Sequence, residues 1–429
     1  MIQKIKFILK SNSFIRNTSL LASGILLSQI ISIVSSPLIS RIYTPSDFGA
    51  LHIFLSFITI LTVISTLKFE LAIPLPEEDE TAFYLLMASV VFVSVFSALI
   101  AIALYLFKPI IINWFDLKRI SDYFYLIPIG IFFAGVYLIL NYWAIRKKKF
   151  NLIAKTKIKQ ATFGVGTQIG LGLLGVKPLG LLIGAIFKRA SGFIALSKLV
   201  LEDKHFFTQL TVKKLNFVIK RYKKFPLISS QSALLNVLGL NLPILLLAHF
   251  YGSKKVGFFS LTLLVVNVPL TTLGRSLSQV FISESSELIK TDIKKLKKLY
   301  LKIIRNLLII GIIPCLILIL WAPVLFPFIF GDGWHLSGKI TQNLAIMYLI
   351  QFVTVPTSQL LTIMENQEIQ LIWDALRLLA VFISIYIPFL IGSSFLITVT
   401  YYGLTMSIMY GILLLIQIFY LNKTISTNA

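Results

Sequence analysis

The sequence predicts an all-α fold, a polytopic membrane protein of about twelve transmembrane helices in two six-helix bundles. Three observations predict it: a composition no soluble fold could bury, apolar runs of spanning length along the whole chain, and a short repeat placed half a chain apart. Of the 429 residues, 57% are apolar and 13% charged, about half the charged share of ordinary soluble domains. The mean hydropathy is +0.88. Apolar surface on that scale needs a bilayer as its solvent.

The apolar runs fall near 16–40, 48–68, 82–107, 122–145, 158–175, 178–200, 227–250, 256–281, 303–330, 340–364, 369–391 and 394–421, each long enough to cross hydrocarbon as a helix. The fifth, IKQATFGVGTQIGLGLLG, is the weakest. Its small residues favour close helix–helix approach, and it is read as a spanning helix; a short interfacial segment is the alternative. The N-terminus, MIQKIKFILKSNSFIRN, has no small-residue cleavage site after a short apolar region, so the first run is expected to remain as a span.

Loop charge sets the orientation. With the N-terminus cytoplasmic, 30 of the 40 Lys and Arg fall on the inside, 8 fall outside, and Lys188 and Arg189 remain within the sixth span. That asymmetry satisfies the positive-inside rule and gives an even number of spans with both termini cytoplasmic. The longest polar stretch, about 201–226, divides the chain, giving bundles at 1–208 and 209–429.

The repeat supports two halves. The first span ends SPLISRIYTPSDFGALHIF and the seventh ends LPILLLAHFYGSKKVGFFSL. Aligning Tyr43 with Tyr251 aligns Gly49 with Gly257 and Phe48 with Val256, puts Arg41 opposite His249, and leaves Pro37 and Pro243 upstream. Because six is even, both halves share one orientation, related by a pseudo-two-fold axis along the membrane normal.

Several function classes drop out. A net charge of +23 would suggest nucleic acid in a soluble protein; here it reflects cytoplasmic loops, and no nucleic-acid partner is expected. His52, His205, His249 and His335 show no metal-binding spacing. Gly333–Ile340 imitates a phosphate-binding loop but lacks the closing Ser or Thr and the preceding strand, so no ATP hydrolysis is expected. The single Cys315 allows no intramolecular disulfide. No cofactor or metal is expected, and no outer loop is long enough for an enzyme domain.

Five stretches carry a resemblance: SRIYTPSDFG (40–49), KFELAIPLPEEDETA (68–82), YGSKKVGFFSLTLLVVNVPLTTLGRSLSQVF (251–281), FGDGWHLSGKI (330–340) and PTSQLLTIMENQE (356–368). Together they resemble Wzx-type polysaccharide flippases of the multidrug/oligosaccharidyl-lipid/polysaccharide exporter superfamily. The resemblance implies translocation of an undecaprenyl-diphosphate-linked oligosaccharide from the cytoplasmic to the periplasmic leaflet of the bacterial inner membrane, by alternating access, for O-antigen, capsule or exopolysaccharide. It implies membrane lipids, a polysaccharide polymerase and a chain-length regulator as partners. Where the family commonly has Arg before the Glu after the second span, this chain has Lys68, which keeps charge and loses bidentate geometry. A drug exporter of the same superfamily is one alternative, and a glycosyltransferase or glycan polymerase another.

A charge at the bilayer centre costs about 2.5–3.5 kcal/mol on insertion scales, so those present are candidates for use. Lys188 and Arg189 lie mid-depth in the sixth span and would draw an anionic diphosphate into a cationic cleft, or else snorkel to an interface. Arg41 at the outer end of the first span, Arg275 late in the eighth and Arg16 at the start of the first are further cleft candidates. Lys68 with Glu70 and Asp374 with Arg377 are read as structural pairs or gate contacts, the latter sharing a helix face at i,i+3. Asn17, Gln29, Asn236 and Asn241 are read as helix-bridging amides. Pro37, Pro243, Pro269, Pro314, Pro356 and Pro388 are candidate bending points.

Overall fold

The computed structural model describes residues 13–115, 118–364 and 366–427. Among these the chain is helical throughout, without a strand, as required of backbone that must satisfy its own polar groups in hydrocarbon. In order, the helices are α1 (Ser13–Ile42), α2 (Pro45–Thr66), α3 (Asp79–Phe115), α4 (Leu126–Arg146), α5 (Phe150–Leu173), α6 (Leu179–Glu202), α7 (Val212–Arg221), α8 (Ser230–Tyr251), α9 (Ser253–Thr262), α10 (Val268–Thr291), α11 (Ile293–Phe330), α12 (His335–Thr354), α13 (Leu360–Ile363), α14 (Gln367–Leu390) and α15 (Phe395–Thr427).

Ten helical segments among the described residues are long and apolar enough to cross a membrane. The fifth and eighth expected spans are not among these ten. The fifth is a helix of 24 residues, about 36 Å at 1.5 Å per residue, so its length suffices. It starts eight residues before the expected boundary because Lys155, Lys157 and Lys159, which look like loop, lie inside it. The eighth is broken: a π turn at Leu263–Asn267 separates α9 from α10. Pro269, at the second position of α10, has no N–H to give the preceding turn, and the wider turn absorbs the mismatch. Pro356 likewise coincides with a 3-10 turn between α12 and α13, whereas Pro37, Pro243, Pro314 and Pro388 lie inside continuous helices.

The chain packs as two compact units, residues 1–43 with 50–237, and residues 44–49 with 238–429. The first unit is cored by Phe69, Phe83, Tyr137, Trp143 and Leu196. In the second, Phe281, Tyr300, Leu360 and Leu421 form one cluster, and Leu307, Phe352 and Val353 another.

The repeat acquires a physical meaning within each unit. In the first, the Tyr43 hydroxyl donates to the Gln168 carbonyl at 2.7 Å. It fills the space left by Gly172 and Gly180, which flank the α5–α6 turn. In the second, the Tyr251 hydroxyl lies 2.6 Å from Thr398 Oγ1 and 3.2 Å from the Ser393 carbonyl, at the α14–α15 turn. Each tyrosine therefore pins the end of its half's first span to the turn between that half's last two. Within the second unit, the two glycines of the repeat permit backbone contact. A Cβ on Gly49 would lie 1.8 Å from the Ser253 carbonyl oxygen, and one on Gly257 1.7 Å from that of Pro45.

Candidate functional site

The two strongest family stretches resolve into local architecture. In TPSDFG, Thr44 and Asp47 form a capping box: the Thr44 N–H and hydroxyl donate to Asp47 Oδ2 at 2.9 and 2.7 Å. Pro45 takes the first helical position, where its missing N–H costs nothing. Phe48 packs edge-on against Trp334 at 4.9 Å between ring centroids.

In KFELAIPLPEEDETA, Leu67 and Lys68 turn the chain in the left-handed region, with φ of 49° and 59°. Glu70 is fully buried in the short helix that follows, and Lys68 Nζ stands 3.5 Å from its Oε1. Asp79 receives Arg146 Nε at 2.7 Å and Lys147 Nζ at 2.8 Å. Arg146 also donates to the carbonyls of Pro76 and Glu77, closing the loop onto the end of α4. Lys147 reaches Asp203 at 3.1 Å as well. Burial pulls the Lys147 ammonium down, but the bonds to Asp79 and Asp203 outweigh it and leave the group above its ordinary value. Sequence reading missed this network, because its partners are 56 to 70 residues apart and lie at helix ends and in the turns beside them.

Three cations, Lys157, Lys188 and Arg189, lie close together on α5 and α6 of the first unit. α5 and α6 meet backbone to backbone: a Cβ on Gly184 would lie 2.9 Å from the Gly164 carbonyl oxygen, and one on Gly164 2.8 Å from Lys188 Cβ. Lys188 rises from that notch, remains exposed, and places Nζ 3.3 Å from Ser32 Oγ on α1. It therefore sits where α1, α5 and α6 converge. Lys157 and Arg189 are near enough to repel it. Lys157 lies 4.8 Å from the centre of the Tyr137 ring, whose hydroxyl faces Thr156 Oγ1 at 3.3 Å. Arg189 turns the other way and donates to the Ala185 carbonyl of its own helix at 3.0 Å, as the roughly 100° between adjacent helical residues requires. The structure thus joins Lys188 to Lys157, a residue absent from the sequence candidates. The nearest sequence signal is the set of glycines within α5, Gly164, Gly166, Gly170 and Gly172, whose small surfaces favour close helix packing.

The second unit buries an ion pair. Arg377 Nη2 lies 3.0 Å from Asp374 Oδ1, with the two side chains 6% and 18% exposed. The guanidinium stacks 5.0 Å from the Trp373 ring and covers Gly239 of α8, where a Cβ would come within 3.0 Å of Nη2. Gln370 Nε2 donates to Asp374 Oδ2 at 3.3 Å. The i,i+3 pairing read from sequence is present, and Gly239 is what lets α8 approach it.

The remaining cleft candidates are Arg41, Arg16 and Arg275. Arg41 is exposed in the last turn of α1, where its charge complements the helix C-terminus. Arg16 and Arg275 occupy helical backbone in α1 and α10, and their side chains lie outside the described residues. No cluster of three His, Cys, Asp or Glu among the described residues could hold a metal. What Lys188, Lys157 and Ser32 offer chemically is cationic and hydroxyl hydrogen-bond donors at membrane depth, suited to holding an anion.

Against known proteins, a family model described as polysaccharide biosynthesis protein matches residues 38–338. No curated protein matches the chain by sequence. Among solved structures, an outward-facing multidrug resistance MATE family transporter of the MOP superfamily aligns with TM-score 0.60 at 14% identity, covering 96% of each chain. An inward-facing structure of such a transporter aligns with TM-score 0.58 at 14% identity, over 95% of this chain and 96% of that one. A MOP superfamily transporter from Pyrococcus furiosus, described as having a binding pocket of reversed polarity, aligns with TM-score 0.59 at 15% identity over the same shares.

Proposed function

The chain belongs to the polysaccharide biosynthesis protein family, and from that premise we propose that it is a flippase for an oligosaccharide linked to a polyprenyl diphosphate. It moves its substrate from the cytoplasmic to the outer leaflet of the bacterial inner membrane by alternating access, with both termini in the cytoplasm. The family match over residues 38–338 and the MOP-type fold support a translocator. The observation that carries the substrate class is Lys188: a mid-span ammonium left exposed, with Ser32 as its hydrogen-bond partner, Lys157 nearby and, among the described residues, no carboxylate paired with it. A cation within a span is unfavourable in hydrocarbon unless an anion is brought to it. A lipid diphosphate supplies that anion, and neutral sugars then need only hydroxyl contacts.

Export of small molecules is the second reading, favoured by the fold shared with multidrug transporters. It suits anionic or neutral cargo here, because Lys188, Lys157 and Arg189 repel cations. Deleting the gene in its host separates the two. The flippase reading expects lipid-linked repeat units to accumulate in the inner leaflet and surface glycan to disappear. Unchanged surface glycan in a host with no second flippase overturns it. Complementation with Lys188→Gln is expected to reduce surface glycan about tenfold or more, the scale of one charge-assisted contact, while Lys188→Arg retains most of it.

A further inference from the structure

We propose that α7 is a membrane-surface helix that binds the anionic phospholipid headgroups of the leaflet at its end of the first unit. This inference is independent of what the protein transports. It begins from the two faces of VKKLNFVIKR. One face docks: Val218 is buried, Leu215, Ile219 and Tyr222 pack on the core of the first unit, and Lys214 Nζ reaches Glu80 Oε1 at 2.7 Å and the Tyr84 hydroxyl at 2.9 Å. The other face carries Lys213, Asn216, Phe217 and Lys220, with Arg221, Lys223 and Lys224 at its C-terminal edge, all exposed. Of these basic residues none is ion-paired with a carboxylate among the described residues, whereas Lys214 is.

The depth of α7 follows from its anchors. Glu80 and Tyr84 lie in the first two turns of α3, whose spanning segment starts at Asp79, and the next spanning segment starts at Phe225, four residues after α7 ends. The helix is therefore held level with the ends of two spans, where headgroups lie. Val212 and Phe217 are 82% and 58% exposed on it. In water that exposure is unfavourable; in a headgroup layer the apolar side chains enter the acyl boundary while the lysine stems extend to phosphates. An outward face with five free cations and two apolar anchors fits an anionic lipid surface in both charge and polarity.

The test uses the full chain in vesicles of phosphatidylcholine alone or with a minor fraction of phosphatidylglycerol. A nitroxide on Phe217→Cys, in a Cys315→Ser background, is expected to be relaxed more by oxygen than by a water-soluble nickel chelate. Relaxation mainly by the chelate, as in an aqueous loop, overturns the proposal whatever any other variant does. Lipids retained on the purified protein are expected to be enriched in phosphatidylglycerol. Replacing Lys213, Lys220, Arg221, Lys223 and Lys224 with Gln, with Lys214 kept for docking, is expected to lower that enrichment by about fivefold or more. Undiminished enrichment in a variant that remains monodisperse also overturns it.

Discussion

Arg377 shows why a buried charge must be read with its neighbours. Its guanidinium is held by Asp374, by the Trp373 ring and by the space above Gly239. Removing one partner strands the other charge, which costs about 3–5 kcal/mol, while replacing both with apolar residues of similar volume is often neutral. Arg377→Ala is therefore expected to lower the thermal midpoint of the purified protein strongly, and Arg377→Met with Asp374→Leu to recover most of it. Equal losses in the single and double variants would show that the pair is not the source of the effect. The i,i+3 spacing alone was enough to find this pair. Gly239, well over a hundred residues earlier, was not findable, because nothing local distinguishes a glycine that admits a guanidinium from one that admits a neighbouring helix. Lys157 was hidden for the opposite reason: three lysines in five residues read as loop, and only packing makes them helix.

Elements are tied together by small residues and by a few long-range bonds. Gly257 allows the carbonyl of Pro45 to touch its backbone, so Gly257→Ala forces backbone apart; no monodisperse protein is expected in size-exclusion chromatography. Gly166→Ala on α5, where a Cβ meets nothing within 4 Å, is expected to behave as wild type and gain slightly in helix propensity. A Gly257→Ala variant that purifies normally would refute the close approach. The attachment of α7 is also an element-scale matter. Hydrogen bonds from Lys214 to Glu80 and Tyr84 hold its ammonium above the ordinary lysine value. A raised value means the contact contributes fully below the unfolded pKa and is lost as pH rises through the folded one. Docking of α7 is thus constant through neutral pH, weakens in the alkaline range, and weakens again in acid as Glu80, held below the ordinary glutamate value by the bond from Lys214, is protonated. Apolar runs located most of the helices, yet the breaks at Leu263–Asn267 and Val355–Thr357 were visible only as prolines. A proline marks where a helix is perturbed and leaves open whether the result is a kink, a π turn or a 3-10 turn.

For the whole molecule, loop charge predicts an orientation with both termini cytoplasmic. Single cysteines introduced into a Cys315→Ser background test it directly. Lys204→Cys is expected to react with an impermeant thiol reagent only after the cells are opened, and Lys339→Cys in intact cells. Lys149→Cys and Val176→Cys, at either end of α5, are expected on opposite sides; labelling on the same side would remove α5 from the spans and reverse the orientation of everything after it. The fold class was legible because bilayer burial imposes it on composition. The site was legible only in part, since two halves of one scaffold carry different charges: Lys188 on the last span of the first, Arg377 on the fifth span of the second.

The tyrosine at the end of each half's first span has a consequence for ancestry. Tyr43 and Tyr251 each tie the first span of their own six-helix set to its last turn. A half-length chain bearing this latch would hold both of its ends. Duplication of such a chain would give each copy its own latch, leaving the charged positions in either copy free to diverge while the latch stayed in place.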